Sequence, residues 1–430
     1  MLWDGLAAWD FLEHELLTAG RRRSPLHSAP LAPVSPSVDR AVPTPVPDVR
    51  HAVLRATSVY DVPAAGRLPD GSRLLLLPRA SHSVPPLAVD RSVAILLDML
   101  REPGPLPGFA HAAFGERVRV VIAELVLDGL LEVEHAGAFV GGIDAVEACA
   151  THTAQELAPR STTARLSLAA LRYAEALDES DAALLAQRLY AYHQYPLSPS
   201  RAREAASPGA AAARLSAAAT PAGALLHRHW LRAAPGVHED GWSYCVRRSD
   251  ARVARQREDQ PTYKLYVSPD SSAIAAALPA MVSALAAVGA PTFKVACGVY
   301  GTLRPDKIVV YARDQSDLHH IATALEGALA GLPAHGVPFT AEIARGGLLS
   351  WGMDPPAYYQ GAPSGAGVSW RQWVTAELAR YLAVAKLSPR PPIERWRFAV
   401  QRLGALGVDV STWAPSAALW PAGRARSARP

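Results

Sequence analysis

Between Thr262 and Tyr311 the hydrophobic period of the chain changes from two to 3.6 and back to two, which reads as strand, helix, strand, strand. In Thr262-Tyr-Lys-Leu-Tyr-Val-Ser268, alternation places Lys264 and Tyr266 on one face and Tyr263, Leu265 and Val267 on the other. Thr292 to Cys297 sets Phe293, Val295 and Cys297 inward with Lys294 opposite, and Lys307 to Tyr311 groups Lys307, Val309 and Tyr311. Between them Ile274, Leu278, Met281, Leu285 and Val288 recur at helical spacing, with Asp270 or Ser272 as a cap and Gly289 as a stop. Pro279 lies inside that pattern and predicts a kink or a split. The expected product is a cationic, tyrosine-bearing sheet face; the bland alternative is a solvated outer face of half-buried strands.

Lysine usage sharpens this. The chain contains four lysines, and three of them, Lys264, Lys294 and Lys307, fall in this one segment. Arginine supplies nearly all the other positive charge. An ammonium can lose its proton and act as a base, whereas a guanidinium in practice cannot.

At 430 residues, half of them apolar, the chain can bury more than one core. The net charge of +4 is small for that length and the arginines are scattered, so nucleic acid is not an expected partner. Cys149, Cys245 and Cys297 have no CxxC spacing and cannot all pair, which speaks for a reducing compartment and against a structural zinc site. His227 and His229 lack a third ligand nearby, so no metal is expected. The start lacks a basic n-region with a long apolar run, and no 18-residue stretch is uninterruptedly apolar, so the expectation is a cytoplasmic protein without a membrane partner.

In chain order, residues 1–20 predict an amphipathic docking helix and 21–50 a Pro-rich linker. Residues 51–144 predict strands at Ala52–Ala56 and Arg73–Pro78, two helices, and a closing Gly129–Glu134 strand, the order of a small winged helix. Residues 145–250 read as mainly helical, with a tyrosine-crowded Arg188–Tyr195 run and a Gly241–Arg247 strand. Residues 251–390 form an α+β unit with a small, mostly antiparallel sheet, in which Gly298 to Asp306 is a loop, Val337–Ala341 a strand and Arg345–Pro356 a glycine-rich loop. A C-terminal helix and tail occupy 391–430. The fold class expected is therefore α+β.

Two stretches resemble known families. Ser92-Val-Ala-Ile-Leu-Leu-Asp-Met-Leu100 and Val126-Leu-Asp-Gly-Leu-Leu-Glu-Val133 resemble the PqqD-like leader-peptide recognition element of peptide maturases. Such elements bind an extended peptide by adding it to a strand edge. Tyr263-Lys-Leu-Tyr-Val-Ser-Pro269, Phe293-Lys294, Arg304-Pro-Asp-Lys-Ile-Val-Val-Tyr311 and Pro338-Phe-Thr with Ser350-Trp-Gly-Met-Asp-Pro355 resemble the Hop-A type III effector family. Members of that family also occur in clusters for class V lanthipeptides and thioamitides, as lyases beside a separate kinase.

The resemblance implies β-elimination of phosphate from phosphoserine or phosphothreonine of a precursor peptide, giving dehydroalanine or dehydrobutyrine. The expected partners are that phosphorylated precursor, the kinase and, in some pathways, a cyclase, with no cofactor. Phosphothreonine lyases of bacterial effectors carry a Lys-x-His strand; the similar stretch here is Lys264-Leu-Tyr266, so Tyr266 serves as the acid only with help from nearby cations. Lys294, among other cations, is the expected base. Arg304, Lys307 and Arg345 are the expected phosphate contacts, and Tyr300, Tyr311, Trp351 and Asp354 the expected substrate contacts. The rivals are a non-catalytic leader-binding scaffold that activates a partner kinase or cyclase, and a winged-helix regulator of DNA, though 51–142 carry no Lys/Arg stripe.

Overall fold

The structure, a computed structural model, describes residues 52–64, 73–80, 84–149, 159–204, 220–232, 242–249, 262–296, 298–344, 346–355 and 368–415. The expected docking helix, linker and C-terminal tail, and with them Arg345 and Cys297, lie outside the described residues.

The fold is α+β. The first unit contains β1 (Val53–Ala56), β2 (Tyr60–Asp61), β3 (Arg73–Pro78), β4 (Leu87–Asp90), α1 (Arg91–Met99), β5 (Gly104–Pro105), α2 (Gly108–Phe114), α3 (Val118–Leu127), β6 (Leu131–His135) and β7 (Ala138–Val140). From α1 onward this is the helix, strand, two helices and hairpin of a winged helix, with β1 inserted between β5 and β6. The strands β2, β3 and β4 make a separate antiparallel sheet, and its central strand leaves Leu75 and Leu77 more than half exposed.

Next come α4 (Thr162–Ala176), α5 (Ala182–Ala191), α6 (Pro199–Glu204) and α7 (Pro221–His229), then β8 (Trp230–Arg232) and β9 (Trp242–Arg247). Hydroxyl and carboxylate caps fix these helix starts: Ser161 accepts from the Ala164 amide at 3.1 Å, Asp181 from Leu184 at 2.9 Å and Thr220 from Gly223 at 3.0 Å. The rest of the chain supplies β10 (Tyr263–Val267), α8 (Ile274–Val288), β11 (Thr292–Ala296), α9 (Gly298–Leu303), β12 (Ile308–Ala312), α10 (Gln315–Ala328), β13 (Ala341–Glu342), β14 (Leu349–Met353), α11 (Trp370–Lys386), α12 (Arg395–Ala405) and a hairpin of β15 (Val408–Asp409) with β16 (Ala414–Pro415).

Seven strands form the main antiparallel sheet in the order β13-β14-β10-β12-β11-β9-β8. The sheet crosses the boundary expected at 250: β9 pairs residue by residue with β11, Lys294 opposite Tyr244 and Phe293 opposite Cys245. One face is covered by α7, α8 and α10, with Leu265, Val267, Phe293, Ile308 and Val310 in the core beneath them. The α8 helix runs unbroken through Pro279 to Gly289, a left-handed residue (φ 72°), and its buried Ile274, Leu278, Met281 and Leu285 mark it as a core helix despite its apolar length.

Three expectations fail locally. Gly298 to Leu303 is a helical turn, and its Gly301 answers to the close approach of Ala296, which leaves no room for a side chain. Residues 349–353 form β14, because Leu349 and Met353 are buried and the backbone pairs with β10. Val337 to Thr340 is a turn, with Phe339 at φ 63° and its amide donating to Ser167 Oγ at 2.7 Å.

A second core unites the winged-helix unit with α4, α5, α11 and α12. Across it, Asp128 pairs with Arg402, Ser388 Oγ donates to Asp144 Oδ1 at 2.6 Å, and Gly142 (φ 59°) faces Val384. The α11 helix is buried along nearly its whole length, and its first residue, Trp370, lies flat against Gly352. A Cβ at Gly352 would run into that ring. Gly352→Ala should therefore lower stability by about 1–3 kcal/mol by overpacking. Gly327→Ala, in the exposed last turn of α10 with open space around it, should raise stability by about 0.5–1 kcal/mol. Urea midpoints of the two variants would check both signs.

Candidate functional site

The sheet face turned away from α8 and α10 carries the residues of interest in two cross-strand rows. One runs Tyr244, Lys294, Val309, Tyr266, Ser350; the next runs Val246, Thr292, Tyr311, Lys264, Gly352. Alternation in three strands thus places Lys264, Tyr266, Lys294 and Tyr311 together. Trp351 does not join them: it pairs directly with Leu265 and stacks on Tyr263 at 6.4 Å, so it belongs to the opposite, helix-covered face. A period of two admits no other outcome once β14 is a strand.

Each cation has a distinct environment. Lys294 Nζ stands 4.2 Å from the centre of the Trp242 ring and 5.5 Å from that of Tyr244. Arg304 shares the same Trp242 ring, its guanidinium carbon 5.0 Å from the centre. Lys264 forms an ion pair with Asp354 and lies 5.8 Å from the Tyr311 ring centre. Asp354 also accepts from the Trp370 amide at 2.8 Å, capping α11, so its carboxylate has structural work before any substrate arrives.

Lys307 is placed otherwise than expected. It is 2% exposed, and its Nζ donates to the Pro269 carbonyl at 3.0 Å and to His335 Nδ1 at 2.7 Å. The Tyr195 ring stacks on His335 at 3.8 Å, and the Tyr195 hydroxyl donates to Asp270 at 2.5 Å. His335 and His193 each donate from Nε2 to the other's carbonyl, at 2.7 and 2.9 Å. The segment after α5 covers this end of the face, so the Lys307 ammonium closes a buried network in place of meeting a substrate phosphate. Tyr300, on α9, is 68% exposed and takes no part in the cluster.

Around Arg304 lies a group that sequence reasoning did not assemble. Asp306 Oδ1 accepts from Arg304 Nε at 2.9 Å; Asp306 Oδ2 accepts from Arg304 Nη2 at 3.1 Å and lies 2.7 Å from Arg371 Nη1. The Tyr190 hydroxyl receives Arg304 Nη2 at 3.0 Å and donates to Asp306 at 3.3 Å. Burial alone would raise the Asp306 carboxyl, but Arg304 and then Arg371 hold it far below the usual carboxylate range. Burial, followed by the Asp306 charge, raises the Tyr190 phenol. Burial, followed by the Asp354 charge, holds the Tyr266 phenol well above its ordinary value, so Tyr266 stays protonated.

Trp242 and Tyr244 sit in the strand read at 241–247, Tyr190 in the tyrosine-crowded run and Asp306 inside the Arg304–Tyr311 motif. Their joint position depends on register and on where the last turn of α5 brings Tyr190. Arg371, beside a tryptophan on an almost wholly buried helix, has no signal in the sequence. Among the described residues no group of three or more His, Cys, Asp and Glu is placed to hold a metal ion.

No protein-family model and no curated protein matches the sequence. The chain is similar to solved structures of two effector proteins of Pseudomonas syringae. That from pathovar tomato strain DC3000 has a TM-score of 0.34 at 14% identity, covering 60% of this chain and 98% of the effector. That from pathovar syringae strain 61 has a TM-score of 0.34 at 11% identity, covering 59% and 98%.

The buried histidines give a pH prediction. Burial, then the Lys307 ammonium, then His193 push His335 down to about 3 from its ordinary 6.5. In that interval the unfolded chain binds the proton and the folded one does not, so stability is full above pH 6.5 and falls as pH drops toward 3. Between pH 7 and pH 5 the His335 contribution should fall by about 2 kcal/mol, at about 1.4 kcal/mol per unit. Denaturant melts at the two pH values should show this loss, and His335→Gln should reduce it.

Proposed function

We propose that the cationic face eliminates phosphate from phosphoserine or phosphothreonine of a peptide, leaving dehydroalanine or dehydrobutyrine. What carries this reading is the pairing of a lysine with an arginine on one aromatic ring: Lys294 and Arg304 both lie over Trp242 on a half-buried face. The two reach different parts of one substrate. Lys294, as the free amine, takes the Cα proton; the Cα–H electrons form the Cα=Cβ bond, and the Cβ–O bond breaks with its electron pair leaving on phosphate. Arg304 meets the charge that develops on the leaving group, worth most where neighbouring rings exclude water.

In this reading Lys264 stands beside the reacting centre; Tyr266 remains protonated as an acid requires but is 3% exposed, packed with Val309 and Val337, so the expected acid lies beneath the face. Lys264 contributes less free charge, because Asp354 already neutralises it. Tyr311, against Lys264, lines the path of the peptide.

The substrate proposed is a ribosomally made precursor, phosphorylated by a separate cytoplasmic kinase and passed on for cyclisation in lanthipeptide-type maturation. Its leader would add to the edge of β4, the outer strand of the β2-β3-β4 sheet, beside exposed Leu75 and Leu77. Leu75→Asp with Leu77→Asp should weaken leader binding, read by fluorescence polarisation, without disturbing the core. One observation favours a silent scaffold that activates a kinase or cyclase instead: the winged-helix unit shares its core with α11 and α12 and so forms part of the body.

Lys294→Arg decides between enzyme and scaffold. It keeps the charge and removes the only form that accepts a proton near neutrality. Single-turnover loss of phosphate, followed by mass, should fall by about 10²–10⁴-fold while phosphopeptide binding largely survives. Near wild-type turnover would remove Lys294 from the base role.

A further inference from the structure

Asp306 meets two guanidinium groups, which leaves the trio one positive charge in excess. Its carboxylate is fully engaged: Oδ1 by Arg304, and Oδ2 by Arg304, Arg371 and the Tyr190 hydroxyl. The two arginines are not equivalent. The Arg304 side chain is 24% exposed and lies against Trp242, whereas that of Arg371 is 1% exposed. Arg371 is further held by the Tyr190 carbonyl at 2.9 Å and the Pro338 carbonyl at 3.3 Å, and its guanidinium carbon lies 4.6 Å from the Tyr190 ring centre. It therefore cannot touch a substrate.

With Arg304 alone, Asp306 would make a neutral pair with little attraction for an anion. With Arg371 also present, the carboxylate is divided between two cations and Arg304 keeps charge to offer at the ring that Lys294 shares. Arg371 also fixes where Asp306 stands, and Asp306 fixes the Arg304 fork. We propose that Arg371 is a positioning residue that acts through Asp306 to make Arg304 a receptor for a phosphate-monoester dianion. This rests on the anion-binding half of the function proposed above and is independent of the elimination step.

The test is calorimetric binding to the full chain of inorganic phosphate, and of a phosphothreonine peptide with its unphosphorylated twin as control. Removing the unit charge that shares the Asp306 carboxylate with Arg304 should cost about tenfold or more in affinity, so Arg371→Met should weaken both probes by that factor. Arg371→Lys, which keeps the charge but loses the fork that fixes Asp306, should fall between Arg371→Met and wild type. Asp306→Asn should have the opposite sign and tighten phosphate binding, since it removes the one neutralising group. A residue that only supports the fold would lower the melting temperature of every variant and leave the phosphate affinity of the folded protein unchanged.

A folded Arg371→Met with wild-type affinity overturns the proposal, as does a wild-type protein that binds no phosphate. If Arg371→Met does not fold, the other two variants decide, and weaker binding by Asp306→Asn overturns it. A chain that shows this pattern yet leaves the phosphopeptide intact keeps the inference and loses the lyase reading. A chain that eliminates phosphate but ignores Arg371→Met does the reverse.

Discussion

The first turn of α11 is the joint on which the molecule depends. Trp370 lies flat on Gly352 in β14, its indole N–H donates to the Phe339 carbonyl at 2.9 Å, and its backbone amide is capped by Asp354. The next residue, Arg371, reaches Asp306 across the sheet face. One helical turn thereby ties three loops to the sheet. The far end of the same helix packs into the core shared with the winged-helix unit, where Val384 fills the space left by Gly129 and Gly142. A buried guanidinium is costly unless paired and hydrogen-bonded, and Arg371 is both, so the helix has one register that satisfies it.

That joint also sorts the positive charges of the sheet face. Lys264 is neutralised by Asp354 because Asp354 is held at the start of α11. Lys307 is withdrawn beneath Tyr195 and His335, where two backbone carbonyls fix the histidine pair. Lys294 and Arg304 remain beside Trp242, with aromatic rings as neighbours. Four cations on one face would repel one another; the fold sets Lys294 and Arg304 at the aromatic ring, with Arg304 paired to Asp306, and engages Lys264 and Lys307 elsewhere. The arrangement suits a dianion better than an extended polyanion, which would need the evenly spaced charges that this face lacks.

Most of the main sheet was legible from Thr262 onward because its signal is local. Alternation at Tyr263–Val267 and Thr292–Ala296, helical spacing from Ile274 to Val288, and the left-handed stop at Gly289 each depend on residues within a few positions of one another. The same locality explains the failures. Trp351 and Met353 read as a glycine-rich loop because Gly346, Gly347 and Gly352 dilute the pattern, and only pairing with β10 reveals a strand. Gly298 to Leu303 carries two glycines yet is helical, since Gly301 answers to the close approach of Ala296 and not to a turn.

The sequence by itself determined the α+β class, the strands that carry Lys264 and Lys294, and the common face of Lys264, Tyr266, Lys294 and Tyr311, because a period of two settles facing before any tertiary contact forms. Only the tertiary structure decided which partners each of those cations meets. Asp354 lies 90 residues from Lys264, His335 28 from Lys307 and Arg371 65 from Asp306, and no periodicity connects them. Whether an ammonium stands at an aromatic ring or closes a buried network depends on burial and on the partner that the packing of α5 and α11 brings to it.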